Sequence, residues 1–350
     1  MSKAKFGVIG AGHIGKRHAD MILRNPEADL IAICDRRSKE TCGVTWDVPF
    51  YATPEAMIEA HPEIEVISVC TPNGLHAEHA LIALENKKHV VIEKPMALSK
   101  ADCEKIIYTA LNRSRFVFGV MQNRYSPPSQ WIKELVESGK MGEIYMVQIN
   151  CFWNRDDNYY GKVHWKGTHD LDGGTLFTQF SHFIDIMYWL FGDIENIQAR
   201  FKDFRHQHNT DFEDSGFISF DFVNEGMGSI SFSTAVDQQN YESSMTIVAE
   251  NGTVKIGGQY MNEVDYCLVR DYEMPELAES NPANDYGSYK GSAANHNYVI
   301  QNVIDALQGN KEISTNALEG LKVVDIIERI YASGERIVKV REESKESSVS

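Results

Sequence analysis

The first chemical signal in the sequence is a set of closely spaced glycines, Gly10, Gly12 and Gly15. They follow a short apolar run over residues 5–9 and open a stretch over 14–23 whose apolar residues recur at helical spacing. In such a strand–turn–helix the first glycine permits a tight turn, the second lets the backbone approach a pyrophosphate, and the third lets helix and strand pack closely. The helix start, with His13 and Ile14, then offers free N–H groups and a partial positive charge to an anion. A second apolar run over 30–34 ends at Asp35, where a carboxylate accepts hydrogen bonds from ribose hydroxyls. The pattern predicts a dinucleotide site. Asp35 favours NAD, because a carboxylate repels the 2′-phosphate of NADP, while Arg36 and Arg37 keep NADP open.

Holding these groups in place requires a sheet. Further apolar runs lie over 66–70, 89–92 and 116–120, separated by helix-like segments near 53–60, 75–87 and 99–112. Near-continuous apolar strands alternating with helices imply a doubly wound parallel sheet covered on both faces, the Rossmann arrangement, within an α/β class. The pattern changes after Asn123. Ser126-Pro127-Pro128-Ser129 signals a helix start, and 130–137 reads as helix. Alternating segments over 144–153, 215–223, 227–234 and 244–256, interrupted by a helix over 176–191, predict an α+β domain with a large, mainly antiparallel sheet. Residues 275–293 read as a long loop, and helices near 295–308 and 316–333 close the fold. The expected division is 1–123 for cofactor binding, 124–340 for substrate binding and oligomerisation, and a charged, serine-rich tail over 341–350.

Composition narrows the function classes. With 350 residues, 43% of them hydrophobic, the chain can bury two cores. No apolar run approaches the roughly 20 residues that a membrane helix needs. The apolar start runs straight into the glycine turn, so it reads as a strand and not as a signal peptide. The expectation is a soluble cytoplasmic protein without a membrane partner. A net charge of -16 without a long basic run disfavours a nucleic-acid partner. The six cysteines are scattered without CxxC spacing, which predicts reduced thiols and no metal site.

Two further segments fall at strand ends, where ligands gather in doubly wound sheets: Thr71-Pro72-Asn73-Gly74-Leu75-His76 and Glu93-Lys94-Pro95. Together with Gln122-Asn123-Arg124, Gly173-Gly174…His182-x-x-Asp185 and Glu250-Asn251-Gly252-Thr253, they resemble the Gfo/Idh/MocA family over nearly the whole chain. The resemblance implies that Lys94 and His182 flank the nicotinamide and the reacting hydroxyl. It also adds Thr71, Pro72, Asn73, His76, Glu93, Lys94 and Gln122 to the glycine loop, Asp35 and Arg36 as cofactor contacts. The family pattern carries Asp four residues before the histidine and Gly two before it; here Thr178 and Phe180 stand there, so no carboxylate role carries over to 178. The stretch Phe152-Trp153-Asn154-Arg155…Tyr159-Tyr160…Trp165-Lys166-Gly167-Thr168…Asp172-Gly173-Gly174, with Thr178-Gln179 before the histidine, resembles UDP-N-acetylglucosaminuronate 3-dehydrogenases of bacterial surface-polysaccharide synthesis. That subgroup implies oxidation of a sugar C3 hydroxyl by NAD⁺, before transamination by a separate enzyme.

Such a reaction needs a proton acceptor, a hydride acceptor and a stabilised alkoxide. A lysine partly desolvated beside NAD⁺ loses its proton more readily, so Lys94 is the expected acid/base, with His182 as partner. Asp185 lies nearly on the same helix face as His182 and could orient the imidazole. An anionic substrate calls for local cations in this acidic chain: Arg124, Lys166 and, foremost, Arg155. Tyr160 and Trp165 offer rings to a sugar, and Thr178 and Gln179 complete the expected substrate set. The alternatives are an inositol or simple-sugar dehydrogenase, an NAD-dependent glycosidase, and an NAD(H)-binding sensor without turnover. A broad sheet with one uncovered face predicts a homodimer or homotetramer.

Overall fold

The structure, a computed structural model, describes residues 3–161, 165–287 and 289–335; the expected tail over 341–350 lies outside them. Strands β1 (Ala4–Ile9), β2 (Ala28–Cys34), β3 (Phe50–Tyr51), β4 (Val66–Val69), β5 (His89–Ile92) and β6 (Val117–Gly119) form one parallel sheet in the order β3-β2-β1-β4-β5-β6. Helices α1 (His13–Arg24), α2 (Pro54–Ala60), α3 (His76–Glu85) and α4 (Lys100–Arg113) connect them, and α5 (Pro127–Glu137) and the short α6 (Asp157–Tyr160) follow in the second unit. Every residue of β4 is buried, as a central strand covered on both faces requires. The strand order reverses between β1 and β4, and the crevice outside their C-terminal ends is where ligands bind in such sheets. The two-residue β3 has too little pattern to be read from the sequence.

The second sheet contains β7 (Ile144–Phe152), β8 (Ile194–Lys202), β9 (Ser215–Phe222), β10 (Met227–Ser233), β11 (Glu242–Ala249), β12 (Gly252–Gly257) and β13 (Glu263–Val269), in the order β13-β12-β11-β7-β10-β9-β8. Its pairs are antiparallel except β7 with β10. The run expected over 244–256 is two strands, and β8 and β13 were missed. Both are edge strands whose exposed positions are mostly charged or polar, so the apolar alternation is thin. Val147, Ile149, Ile218, Phe220, Ile230, Phe232, Met245 and Ile247 form the inner face. They join one core with Phe180, Phe183, Ile184 and Met187, on and just before helix α7 (Ser181–Phe191). The outward face stays apolar along one registered row, Met227 opposite Met146, Met146 opposite Val248, and Leu268 beyond Thr253; these four apolar side chains are all exposed.

Two later helices tie the units together. Helix α8 (His296–Leu307), expected in the second domain, packs on the first: Val299, Ile300, Val303 and Ile304 share a core with Phe6, Val8, Ala19 and Ile22. Helix α9 (Ala317–Ser333) starts from an Asn316–Glu319 capping box and contacts α4 on one side and α7 and β8 on the other. The segment expected as a loop over 275–293 contains a hairpin, β14 (Ala283–Asp285) with β15 (Lys290–Ala293). It ties back to the first unit through Ser292 Oγ to Asn123 Oδ1 at 2.5 Å.

Phe183 is 1% exposed, so Phe183→Ala opens a cavity that the surrounding rings cannot fill. The expected loss is about 3–5 kcal/mol, read by urea unfolding of the cofactor-free protein. A loss below about 1 kcal/mol would mean that this helix does not anchor the second core.

Candidate active site

The glycine loop has the close contacts that its spacing demands. Gly10 adopts φ +96°, and a side chain on Gly15 would lie 1.7 Å from the Gly10 carbonyl oxygen. Above Gly12 nothing lies within 4 Å. Gly12 is also the N-cap of α1, whose first turn has no side-chain cap and no acidic residue, so its N–H groups remain free for an anion. At the end of β2, Asp35 Oδ2 accepts the Ala11 N–H at 2.8 Å, which fixes the carboxylate beside the loop. Arg37, and not Arg36, grips it: the Arg37 Nε and Nη2 groups reach Asp35 at 2.9 Å each, while Arg36 is exposed. Burial works to raise the Asp35 carboxyl, but these hydrogen bonds outweigh it and hold it down to about 2. Open space over Gly12, a bare helix start and an anchored carboxylate fit a dinucleotide.

The strand-end segments are tied to each other by a buried side chain. His76 is buried, with Nδ1 2.7 Å from the Pro95 carbonyl and Nε2 2.9 Å from the Thr71 carbonyl, so it ties the two segments together. The Thr71 hydroxyl meets His79, and Pro72 leads into a short turn at Asn73. Glu93 is buried between two histidines. His18 Nε2 on α1 and His296 Nε2 at the start of α8 approach the same Glu93 oxygen at 2.9 and 3.4 Å. Burial would raise that carboxyl, yet the two imidazoles hold it well below its usual range.

Lys94 is next in the chain. Its Nζ donates to the Thr178 carbonyl at 2.5 Å. Thr178 lies in a π-helical turn, Leu176–Phe180, just before α7; such a wide turn leaves carbonyls free of their usual helical partners. Asn73 Nδ2 donates to the Thr178 hydroxyl at 2.7 Å, and that hydroxyl in turn donates to Asp172. Asp172 Oδ2 also accepts the Gly167 N–H at 2.6 Å. The position where the resemblance directs attention to a carboxylate thus holds a hydroxyl that passes its hydrogen bond to one six residues earlier. Burial lowers Lys94 to about 8 against the pull of Glu93 and Asp172, and raises Asp172 to about 6 against the pull of its hydrogen bonds and of Lys166 and Lys94. His182 is buried with Nε2 3.2 Å from Gln122 Nε2. Burial, with Lys94 adding to it, keeps its imidazole neutral. His182 Nδ1 and Gln122 Oε1 have no hydrogen-bond partner among the described residues.

Arg155, 2% exposed, donates to Gln179 Oε1 at 2.7 Å, the Asn154 carbonyl at 2.6 Å, Asn240 Oδ1 at 3.2 Å and the Lys290 carbonyl at 3.3 Å. All these acceptors are neutral, and Arg155 pairs with no carboxylate among the described residues. Its guanidinium lies instead over Trp153, Tyr159 and Tyr289, at 4.7 to 5.2 Å from the ring centres. Lys166 Nζ sits 3.6 Å above Tyr159 and 3.5 Å from the Tyr289 hydroxyl, and burial lowers it to about 8. Tyr289 belongs to the hairpin, and its neighbour Tyr286 stacks on it and covers Arg17 and His13 at the glycine loop. The hairpin therefore roofs both the cofactor cradle and the cationic pocket.

Several expected contacts fall elsewhere. Arg124 does not face the cleft as a free cation: Nε and Nη2 grip Asp185 at 2.8 and 2.7 Å, and Nη1 takes Glu319 at 2.7 Å. The same pair occupies Asp185, so Asp185 does not orient His182. Tyr160 packs behind Tyr159 against His206 and Phe212. Trp165 is partly exposed and gives its carbonyl to Thr168. The sequence reading passed over Asp172 as a bare carboxylate in a motif, and over Asn240, Tyr286 and Tyr289 altogether. The one signal for the last two was a pair of tyrosines in an otherwise polar loop.

A doubly wound domain with a pyrophosphate cradle, joined to an α+β domain that brings a lysine and a histidine to its strand ends, defines a two-domain NAD-dependent oxidoreductase. The chain belongs to the Gfo/Idh/MocA family: residues 4–120 match the oxidoreductase family, NAD-binding Rossmann fold, and residues 129–255 match the GFO/IDH/MocA C-terminal domain. It is similar to the WlbA dehydrogenase of Bordetella pertussis, crystallised with NADH and UDP-GlcNAcA, at 30% identity and TM-score 0.83 over 97% of this chain and 100% of that one. It is also similar to the WlbA dehydrogenase of Chromobacterium violaceum, crystallised with the same two molecules, at 28% identity and TM-score 0.83 over 98% of each chain. The D-glucoside 3-dehydrogenase of Escherichia coli is 31% identical over 150 residues, 42% of each chain. No helix among the described residues is long and apolar enough to cross a membrane.

Removing Asp35 should cost NADH about tenfold or more in affinity, because charge-assisted ribose bonds are worth about 1.5–3 kcal/mol. Fluorescence titration of Asp35→Ala reads this, and NADPH should gain on NADH in the same variant. Unchanged NADH affinity would remove Asp35 from the site. Arg124→Ala should act on stability instead, by about 3–5 kcal/mol, because it strands the buried Asp185 carboxylate.

Proposed function

We propose that this protein oxidises the C3 hydroxyl of a UDP-linked N-acetyl sugar uronate, UDP-N-acetylglucosaminuronate, with NAD⁺ as hydride acceptor. The observation that carries this reading is the buried cationic pocket. Arg155 and Lys166 both lie over the ring of Tyr159, Asp172 acts on Lys166 and Lys94, and the direct contacts of Arg155 and Lys166 are neutral acceptors and aromatic faces. Burying charge without a partner is costly, and a carboxylate on the substrate repays it by bidentate or charge-assisted bonds. The WlbA dehydrogenases, whose crystal structures hold a substrate of this kind, support the same reading.

NAD⁺ supplies the acceptor for the hydride that leaves C3. The hydroxyl proton goes to Lys94, whose burial favours the neutral amine that can take it. The carbonyl of Thr178 fixes the direction of Nζ. Neutral His182, tethered by Gln122, is placed to donate to or accept from the same oxygen without adding a second buried charge. The products are a 3-keto sugar, NADH and a proton. The protein works in the cytoplasm, where UDP-sugars are made. Two copies pair across the outward sheet row of Met146, Met227, Val248 and Leu268, which leaves each cleft accessible.

Purified protein with UDP-N-acetylglucosaminuronate and NAD⁺ should give a 3-keto product two mass units lighter. Lys94→Ala should slow turnover by about 10²–10⁴-fold. Lys166→Met should raise KM about tenfold or more for the uronate and far less for UDP-N-acetylglucosamine, which lacks the carboxylate. Turnover of free inositol or a simple sugar, with none of the UDP-uronate, would overturn the assignment. Light scattering should show a dimer or a multiple of it, and Met146→Asp should shift it towards monomer; an unshifted mass would place the interface elsewhere.

A further inference from the structure

Asp172 belongs to no element of regular structure, yet it is 1% exposed and tightly held. Its side chain takes the Gly167 N–H at 2.6 Å and the Thr178 hydroxyl. Its backbone carbonyl takes Asn73 Nδ2 at 2.9 Å. These partners are neutral, so the carboxylate keeps its charge available to the cations around it. Lys94 and Lys166 both feel it, as do the hydroxyls of Tyr159 and Tyr160. Glu93, the residue before Lys94, acts on it in the same sense and ahead of Asp172, and is itself bound by His18 and His296. Arg155 opposes both acids, and His182 faces Lys94 without charge.

The link to Lys94 is geometric as well as electrostatic. One residue, Thr178, gives its hydroxyl to Asp172 and its carbonyl to the Lys94 ammonium. A shift of the carboxylate would move the turn that aims Nζ. We propose that Asp172 is a positioning residue of the reaction: through Thr178 it fixes the place and the surroundings of the Lys94 amine. The proposal rests on Lys94 as the acid/base group. The sign of the electrostatic effect follows directly. A neighbouring negative charge favours the ammonium, so deleting it makes the neutral amine persist to lower pH.

The test uses the full-length protein with NADH bound. Trace acetylation with acetic anhydride at a series of pH values, followed by peptide mass spectrometry, gives the midpoint at which Lys94 becomes reactive, and needs no turnover. Asp172→Asn should lower this midpoint by about one unit or more, the size of effect that a close opposite charge exerts. Thr178→Val leaves the carboxylate but removes the hydroxyl that holds it, and should move the midpoint in the same direction by less. The kcat profile of each variant should shift to lower pH in step. An unshifted Lys94 midpoint in either NADH-binding variant overturns the proposal. A shifted midpoint with an unshifted kcat profile, or full turnover in Lys94→Ala, would instead remove Lys94 from the chemistry and leave the Asp172–Lys94 coupling standing.

Discussion

A guanidinium kept from water without a carboxylate partner organises much of the second domain. Arg155 is held by neutral oxygens from four places in the chain, Gln179, Asn154, Asn240 and Lys290. Aromatic faces from Trp153, Tyr159 and Tyr289 complete its surroundings. Each contact is modest, since a net hydrogen bond to a charged group is worth about 1.5–3 kcal/mol and a cation–π contact about 0.5–2 kcal/mol. Their sum keeps a charge in place without neutralising it. The Arg124–Asp185–Glu319 cluster shows the contrast: there two carboxylates cancel the arginine and the result is a joint between helices. The same residue type is structural where its charge is spent and available for recognition where it is not.

The cleft depends on how the two units are bound together. Asn73 from the first unit reaches Thr178 and the Asp172 carbonyl in the second. Asn295 at the head of α8 holds the Gln122 carbonyl and the Ser126 hydroxyl, each at 3.1 Å. The hairpin closes the third side through Tyr286 and Tyr289. Two short amides at element ends and a pair of stacked rings thus hold the cofactor cradle and the cationic pocket in a fixed relation.

What the sequence showed and what it hid follow a physical division. The glycine loop, Asp35 and the central strands were legible because their constraints are local: a turn, a close approach at Gly15, an apolar strand of period two or none. Lys94, His182 and Arg155 were legible only through resemblance, since a strand-end lysine and a helix histidine have no local signature. Edge strands β8 and β13 escaped because half their residues answer to water and not to the core. Arg124 misled because a buried arginine and a ligand arginine look alike until their partners are known. Asp172 stayed hidden for the opposite reason: its meaning lies wholly in the distant groups it meets, Lys94 and Asn73, both far away in the chain.

This division bears on why Thr178 can stand where a carboxylate would otherwise be sought. A carboxylate at that position would sit on the π-helical turn itself, within reach of the lysine and exposed to whatever enters the cleft. Set back at Asp172, the negative charge is shielded by the turn and reaches Lys94 through a carbonyl dipole and a hydroxyl. Position 178 then carries a hydroxyl, and the groups gathered near it are the amide of Gln179 and the cations Lys94 and Arg155. A neutral polyol gains little from that surface. On the function proposed above, a substrate that brings its own negative charge meets no carboxylate at position 178 and partners the cations, while Asp172, six residues earlier, keeps a counter-charge for the lysine.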